Sequence, residues 1–236
     1  MKTTLYKNEN RGHFDHGWLK TWHSFSFGAY YDPKNIHFGA LRVLNDDIIA
    51  GGTGFDMHPH DNMEIITIPL DGALQHKDSM GHTQIIEKNE IQVMSAGAGI
   101  YHAEYNASSK DDAKILQIWI FPDKKDLEPR YDQFKYSLKN KNNFELLVGP
   151  QKANAKTWIN QNAFVSLGKF SGRIGYNYSV IEKNNGLFLF VISGSIRLND
   201  ILLNSRDAIG ISDSENISFK TENDSEILAI EVPMTW

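Results

Sequence analysis

Short β-branched and aromatic runs separated by Gly, Asn and Asp dominate the chain, as in "FGALRVL", "MEIITIPL", "HTQIIEKN", "EIQVMSA" and "KILQIWIF". Runs of this length with turn residues between them predict an all-β sandwich or barrel. The same grammar returns in "GLFLFVISGSIRLND", "SRDAIGISDSENISF" and "SEILAIEVP", where an apolar strand, a Gly turn, an acidic turn and a closing strand follow one another. Two copies of one β-unit account for it. Between them, residues 123–150 are charged and lack alternation, which predicts a connecting arm with a short helix. The expected division is 1–135 for the first unit and 136–236 for the arm and second unit, with about ten residues of latitude at the boundary.

Composition narrows the function classes. A chain of 236 residues with 41% hydrophobic content can bury a substantial core. The net charge of −5, with Lys and Arg scattered, lacks the basic footprint of a direct nucleic-acid or anionic-membrane binder. The longest fully apolar run, Leu187 to Ile192, is too short to span a bilayer, and the N-terminus has no apolar signal region. The expected location is cytoplasmic. There is no cysteine, so disulfides, thiolate metal sites and cysteine nucleophiles are excluded, and any metal must bind through nitrogen and oxygen.

Histidine separates the two units. All nine histidines lie within the first 102 residues, which leaves the second half only carboxylates and carbonyls to offer a metal. In "HPH", His58 and His60 share one face of an extended segment because strand side chains alternate. In "GIYHAEYN", His102 and Glu104 form a second pair at the same spacing. Two such strands side by side would gather three imidazoles and a carboxylate, a set suited to Fe(II), Mn, Co, Ni, Cu or Zn with room left for substrate or O2. His76 and His82 flank the turn "HKDSMG" and are expected to be exposed. His23 with Trp22, Phe25, Phe27, Tyr30 and Tyr31 reads as core packing, with the lining of a ligand pocket as the alternative.

Gly52, His58, His60, Glu64 and Gly72, followed by Gly99, His102 and Asn106, match the cupin signature G-x5-H-x-H-x3,4-E-x6-G with its Gly-rich second motif. There are two departures: seven residues separate Glu64 from Gly72, and Gly97 stands where the second motif usually has proline. More closely, "HPHDNMEIITIPLDGALQHKDSMG" and "QVMSAGAGIYHAEYN" resemble the pirin family, and "RGHFDHGWLKTWHSFSFGAYYDP" resembles its bacterial quercetin 2,3-dioxygenase branch. The resemblance is strong from about residue 11 to 130. It implies a bicupin, two face-to-face double-stranded β-helix (jelly-roll) barrels. The N-terminal barrel would hold one divalent transition metal, iron first among the candidates, through His58, His60, His102 and Glu104, and the C-terminal barrel none.

Glu64 is expected beside the metal set, orienting a histidine's second N–H; a direct ligand and a surface cross-strand charge are the alternatives. The activity implied is cleavage of a flavonol-like aromatic by O2, with Glu104 as catalytic base. Rival readings are a cupin enzyme for another enediol-like substrate, a metal-bound regulatory or redox-sensing protein with a protein partner, and a structural storage-type cupin.

Overall fold

Each apolar run named above forms a strand in the computed structural model, which describes residues 1–139 and 141–235. The first half contributes β1 (Lys2–Tyr6), β2 (Gly12–Asp15), β3 (Leu19–His23), β4 (Leu41–Ile49), β5 (Gly54–His60) and β6 (Glu64–Asp71). It continues with β7 (Ala73–Asp78), β8 (Thr83–Glu87), β9 (Glu90–Ser95), β10 (Ile100–Asn106), β11 (Ala113–Ile120) and β12 (Arg130–Lys135). The second half adds β13 (Asn143–Pro150), β14 (Thr157–Ile159), β15 (Phe164–Phe170), β16 (Gly175–Ser179) and β17 (Asn185–Ser193). It closes with β18 (Ser195–Leu198), β19 (Ile201–Asn204), β20 (Ala208–Ser212), β21 (Asn216–Thr221) and β22 (Ser225–Pro233).

Four sheets make two barrels, and the bicupin expectation holds. In the first, a seven-stranded sheet ordered β12-β9-β6-β11-β4-β3-β2 covers a four-stranded sheet ordered β5-β10-β7-β8. In the second, β1-β20-β17-β22-β15-β13-β14 covers β16-β21-β18-β19. The chain's first strand therefore crosses over and pairs antiparallel with β20 in the second barrel's sheet. The two seven-stranded sheets face each other across one shared core, in which Leu44, Ile66, Ile68, Leu116 and Ile118 meet Val165, Phe188, Phe190, Leu228 and Ile230.

Residues 123–150 hold no helix among the described residues, contrary to the expected arm; they supply β12 and β13. The charged "RYDQFK" is an edge strand paired only with β9, where polar side chains protect an open edge rather than break the ladder. Among the described residues, no helix is long and apolar enough to cross a membrane.

The barrel interiors differ. The second is filled by Phe170, Leu187, Leu189, Val191, Ile209, Ile227 and their neighbours. In the first, apolar packing is confined to two small clusters, around Ile49, Leu74 and Ile115 and around Ile65, Met94 and Ile100, which leaves its centre for polar side chains.

Candidate metal centre

The four-stranded sheet of the first barrel carries the histidines. Alternation sends His58 and His60 inward from β5, and register places His102 of β10 directly opposite His58. Two residues of β5, Asp56 and Met57, bulge against Ala103, so the inward series on β5 continues as Phe55 opposite Glu104. The ring centroids are 4.5 Å apart for His58 and His102, and 4.8 Å for the other two pairs. Their candidate ligand atoms all lie within 4.8 Å of one another.

The rings are placed to bind a cation together. The His58 Nδ1–H donates to the Asp56 carbonyl at 2.7 Å, which leaves Nε2 as the lone-pair donor. Burial, reinforced by repulsion from the neighbouring imidazoles, pushes the pKa of His60 and of His102 down to about 3, so both are neutral at physiological pH. His102 is 1% exposed, and neither of its ring nitrogens has a hydrogen-bond partner. A buried imidazole with two unmet nitrogens is costly, and a cation bound to one of them relieves that cost. The donor set therefore fits the divalent transition metal that the sequence implies.

Glu104 belongs to a second donor group that shares His102 with the first. It is buried, and its carboxylate accepts from Gln117 Nε2 at 2.7 Å and Thr67 Oγ1 at 3.3 Å. Burial pushes its carboxyl above the usual carboxylate range. Its ligand oxygen groups within 4.8 Å with His102 and His76, so it reaches the three-histidine set through His102 rather than as a fourth equal corner.

His76 corrects the sequence reading. Expected at an exposed turn, it is fully buried, because β7 is an interior strand and its alternation turns Leu74, His76 and Asp78 inward. It stands directly across from Glu104 in the β7–β10 ladder. Its Nε2 lies 3.1 Å from Asp78 Oδ2 and its Nδ1 lies 2.9 Å from Gln92 Nε2. His82, half-buried, meets the same Asp78 carboxylate at 2.9 Å and stays outside the metal groups.

Glu64 is also relocated. Its carboxylate accepts from Ser95 Oγ at 2.6 Å and from Asn160 Nδ2 of the second barrel at 3.0 Å, and none of its hydrogen bonds runs to a histidine. β6 belongs to the opposite sheet, and there Glu64 shares parity with Ile66 and Ile68, which face the other barrel.

A cavity of about 280 Å³ opens beside His58, His60 and Glu104. Leu19, Phe27, Phe55 and Trp119 form its apolar walls, and Thr21, His23, Asn45, Asp47 and Gln117 its polar ones. Trp119 meets His60 edge-on at 4.9 Å and Phe27 at 5.2 Å. The aromatic set read from the sequence divides accordingly: His23 and Phe27 reach the cavity, Phe25 joins the inter-barrel core, Trp22 stacks on His13, and Tyr31 is exposed. Sequence reasoning missed Asn45, Asp47, Thr67, Gln92 and Gln117. Their signal was present: each interrupts an apolar strand at a position whose alternation points inside.

Comparison with known proteins agrees with this architecture. The Pirin family model matches residues 5–120, and a quercetinase C-terminal cupin domain model matches residues 146–232. A quercetin 2,3-dioxygenase of Escherichia coli K12 is 38% identical over 232 residues, covering 97% of this chain and 98% of that protein. A pirin-like protein of Caulobacter vibrioides is 38% identical over 222 residues, covering 93% and 95%. The crystal structure of a bacterial pirin from Escherichia coli in complex with nickel(II) superposes with a TM-score of 0.92 at 36% identity, covering 98% of this chain and 99% of that one. With the fold, the histidine sheet and full-length relatives in agreement, the chain belongs to the pirin family.

Proposed function

We propose that the protein is a metal-dependent dioxygenase that cleaves flavonols with O2, holding a divalent transition metal through His58, His60, His102 and Glu104. The observation that carries this reading is the meeting of three imidazoles, one with both nitrogens unpartnered, at the wall of an aromatic-lined cavity. Relatives named quercetin 2,3-dioxygenase support the flavonol, and a pirin crystallised with nickel(II) supports the class of ion. Iron is the first choice, since histidine and carboxylate ligands with open positions suit Fe(II) oxygenases. When bound, the ion supplies Lewis acidity toward the substrate oxygens and redox capacity toward O2.

The chain's own residues do the rest. Glu104 accepts the proton of the flavonol 3-hydroxyl, while Gln117 and Thr67 each hold one of its oxygens in place. Leu19, Phe27, Phe55 and Trp119 grip the flat ring system and exclude water. The products are a depside and carbon monoxide, which together account for the atoms of flavonol and O2.

Elemental analysis of purified protein, then chelation, reloading with each metal and aerobic flavonol bleaching, tests the proposal. The His60→Ala variant should lose its metal and its bleaching while keeping the wild-type circular dichroism and remaining soluble. Metal-loaded protein that leaves flavonols, catechols and other enediols intact would sink the enzymatic reading. The outer face of the histidine sheet, where Met57, Tyr101 and Ile85 are exposed, would then favour the second reading, a metal-bound regulator with a protein partner.

A further inference from the structure

Across the inward face of the larger first-barrel sheet, register lines up one polar row. His23 of β3 is opposite Asn45 of β4, Asn45 is opposite Gln117 of β11, Gln117 is opposite Thr67 of β6, and Thr67 is opposite Gln92 of β9. Three of the five serve the metal side: Gln92 bonds His76, and Thr67 and Gln117 hold Glu104. The other two are uncommitted. His23 Nδ1, Asn45 Oδ1 and the Oδ1 of Asp47, which stands opposite Thr21 on the same two strands, have no partner. The three residues are 5%, 3% and 3% exposed, and all line the cavity.

Their chemistry is of one kind. His23 bonds the backbone of Phe27 through its other ring nitrogen, and burial holds its pKa down to about 4, so Nδ1 is a bare acceptor. The Asn45 oxygen is an acceptor as well, and the Asp47 oxygen becomes one once its carboxyl ionises, above about pH 7. Buried acceptors without donors cost free energy, and a ligand bringing O–H groups recovers it. These residues sit on the sheet opposite the histidine strands, on the cavity wall that faces His58 and His60.

We infer that His23, Asn45 and Asp47 form a hydroxyl-recognition subsite that selects substrates bearing phenolic O–H groups on the ring remote from the metal. The assignment of the substrate's two ends rests on the proposed function; the preference for donor groups does not. Discrimination follows because an analogue lacking the hydroxyls leaves the buried acceptors unmet.

The test is equilibrium binding to the metal-loaded protein without oxygen, followed by tryptophan fluorescence, with quercetin and with galangin, the same ring system lacking the hydroxyls of the pendant ring. Wild-type protein should bind quercetin roughly tenfold more tightly, the selectivity of about one good hydrogen bond. At pH 8, Asn45→Leu and Asp47→Leu, which remove the acceptor, should each reduce that ratio to roughly twofold, with galangin affinity and metal content unchanged. Asn45→Asp, which keeps an acceptor, should retain the preference. Should Asn45→Leu prove insoluble, His23→Phe carries the same expectation. A wild-type ratio near one, or a ratio that survives all these variants, overturns the subsite, and so does failure of either flavonol to bind at all. Selective binding with no turnover in air would leave the subsite standing and sink the dioxygenase reading instead.

Discussion

Asp47 shows most clearly how one buried side chain links the site to stability. Burial pushes its pKa up from 3.8 to about 7, with Asp46 and Glu104 adding to the rise and the Thr21 hydrogen bond and Arg11 opposing it. The folded protein thus holds this proton up to about pH 7, whereas the unfolded chain releases it near 3.8. Between those values the folded state binds more protons at this site, so Asp47's contribution to stability falls as pH rises through the window, opposing the rise from the lowered His23, His60 and His102. For metal-free protein the loss by pH 8 is roughly 4 kcal/mol. Asp47→Asn should remove this contribution, as read from the difference between wild type and variant in urea unfolding at pH 5 and pH 8 in chelator; identical pH dependence in the two would remove Asp47 as its source. Residues like this were hard to read from the sequence. His58, His60, His102 and Glu104 stood out because parity within one short strand is local information. Glu64 and His76 did not: the break at Asp61–Met63, with Asn62 at φ 47°, moves Glu64 to another sheet, and only strand order buries His76.

At the scale of elements, the site depends on how closely β5 lies against β10. Gly54 sits opposite Tyr105, and a Cβ there would come within 2.3 Å of the Glu104 carbonyl oxygen and 2.5 Å of the Tyr105 Cα. Both obstacles are backbone, so neither can rotate aside. Gly54→Ala should push β5 away from β10 at the bulge that sets Phe55 and Glu104 opposite each other. Overpacking of this kind costs about 1–3 kcal/mol. A competition assay should also show weaker metal binding, because His58 and His60 would move relative to His102. Unchanged metal affinity with lowered stability would mean the histidine end of β5 tolerates displacement at its start. Strand existence was legible, since "EIITIPL" and "KILQIWI" leave little choice. The arm was not, because the charged "RYDQFK" becomes a strand only when β9 offers it an edge.

For the whole molecule, the repeat predicted two units but left open how firmly they are joined. The strands contain a hint: β6 and β11 carry apolar residues on both faces, as strands covered on both sides do. Full burial of a Leu or Ile is worth roughly 1.5–3 kcal/mol, so the five first-barrel side chains named in the shared core contribute on the order of 10 kcal/mol, comparable with a domain's net stability. A polar clasp reinforces them: Asp46 bridges Arg11 at 3.3 Å and Arg206 of the second barrel at 3.0 Å, and Lys7 reaches Asp207 at 2.7 Å. Asp46→Ala would strand the buried Arg11 guanidinium and should cost roughly 3–5 kcal/mol in the full chain while leaving metal content intact. Residues 1–135 expressed alone should fare worse. Their larger sheet would expose Leu44, Ile66, Ile68, Leu116 and Ile118 to water, and β1 would lose β20. Sedimentation should therefore find this piece aggregated even with metal added, although it contains every proposed ligand. A soluble, cooperatively folding, metal-binding fragment would instead show that the second barrel is dispensable to the site.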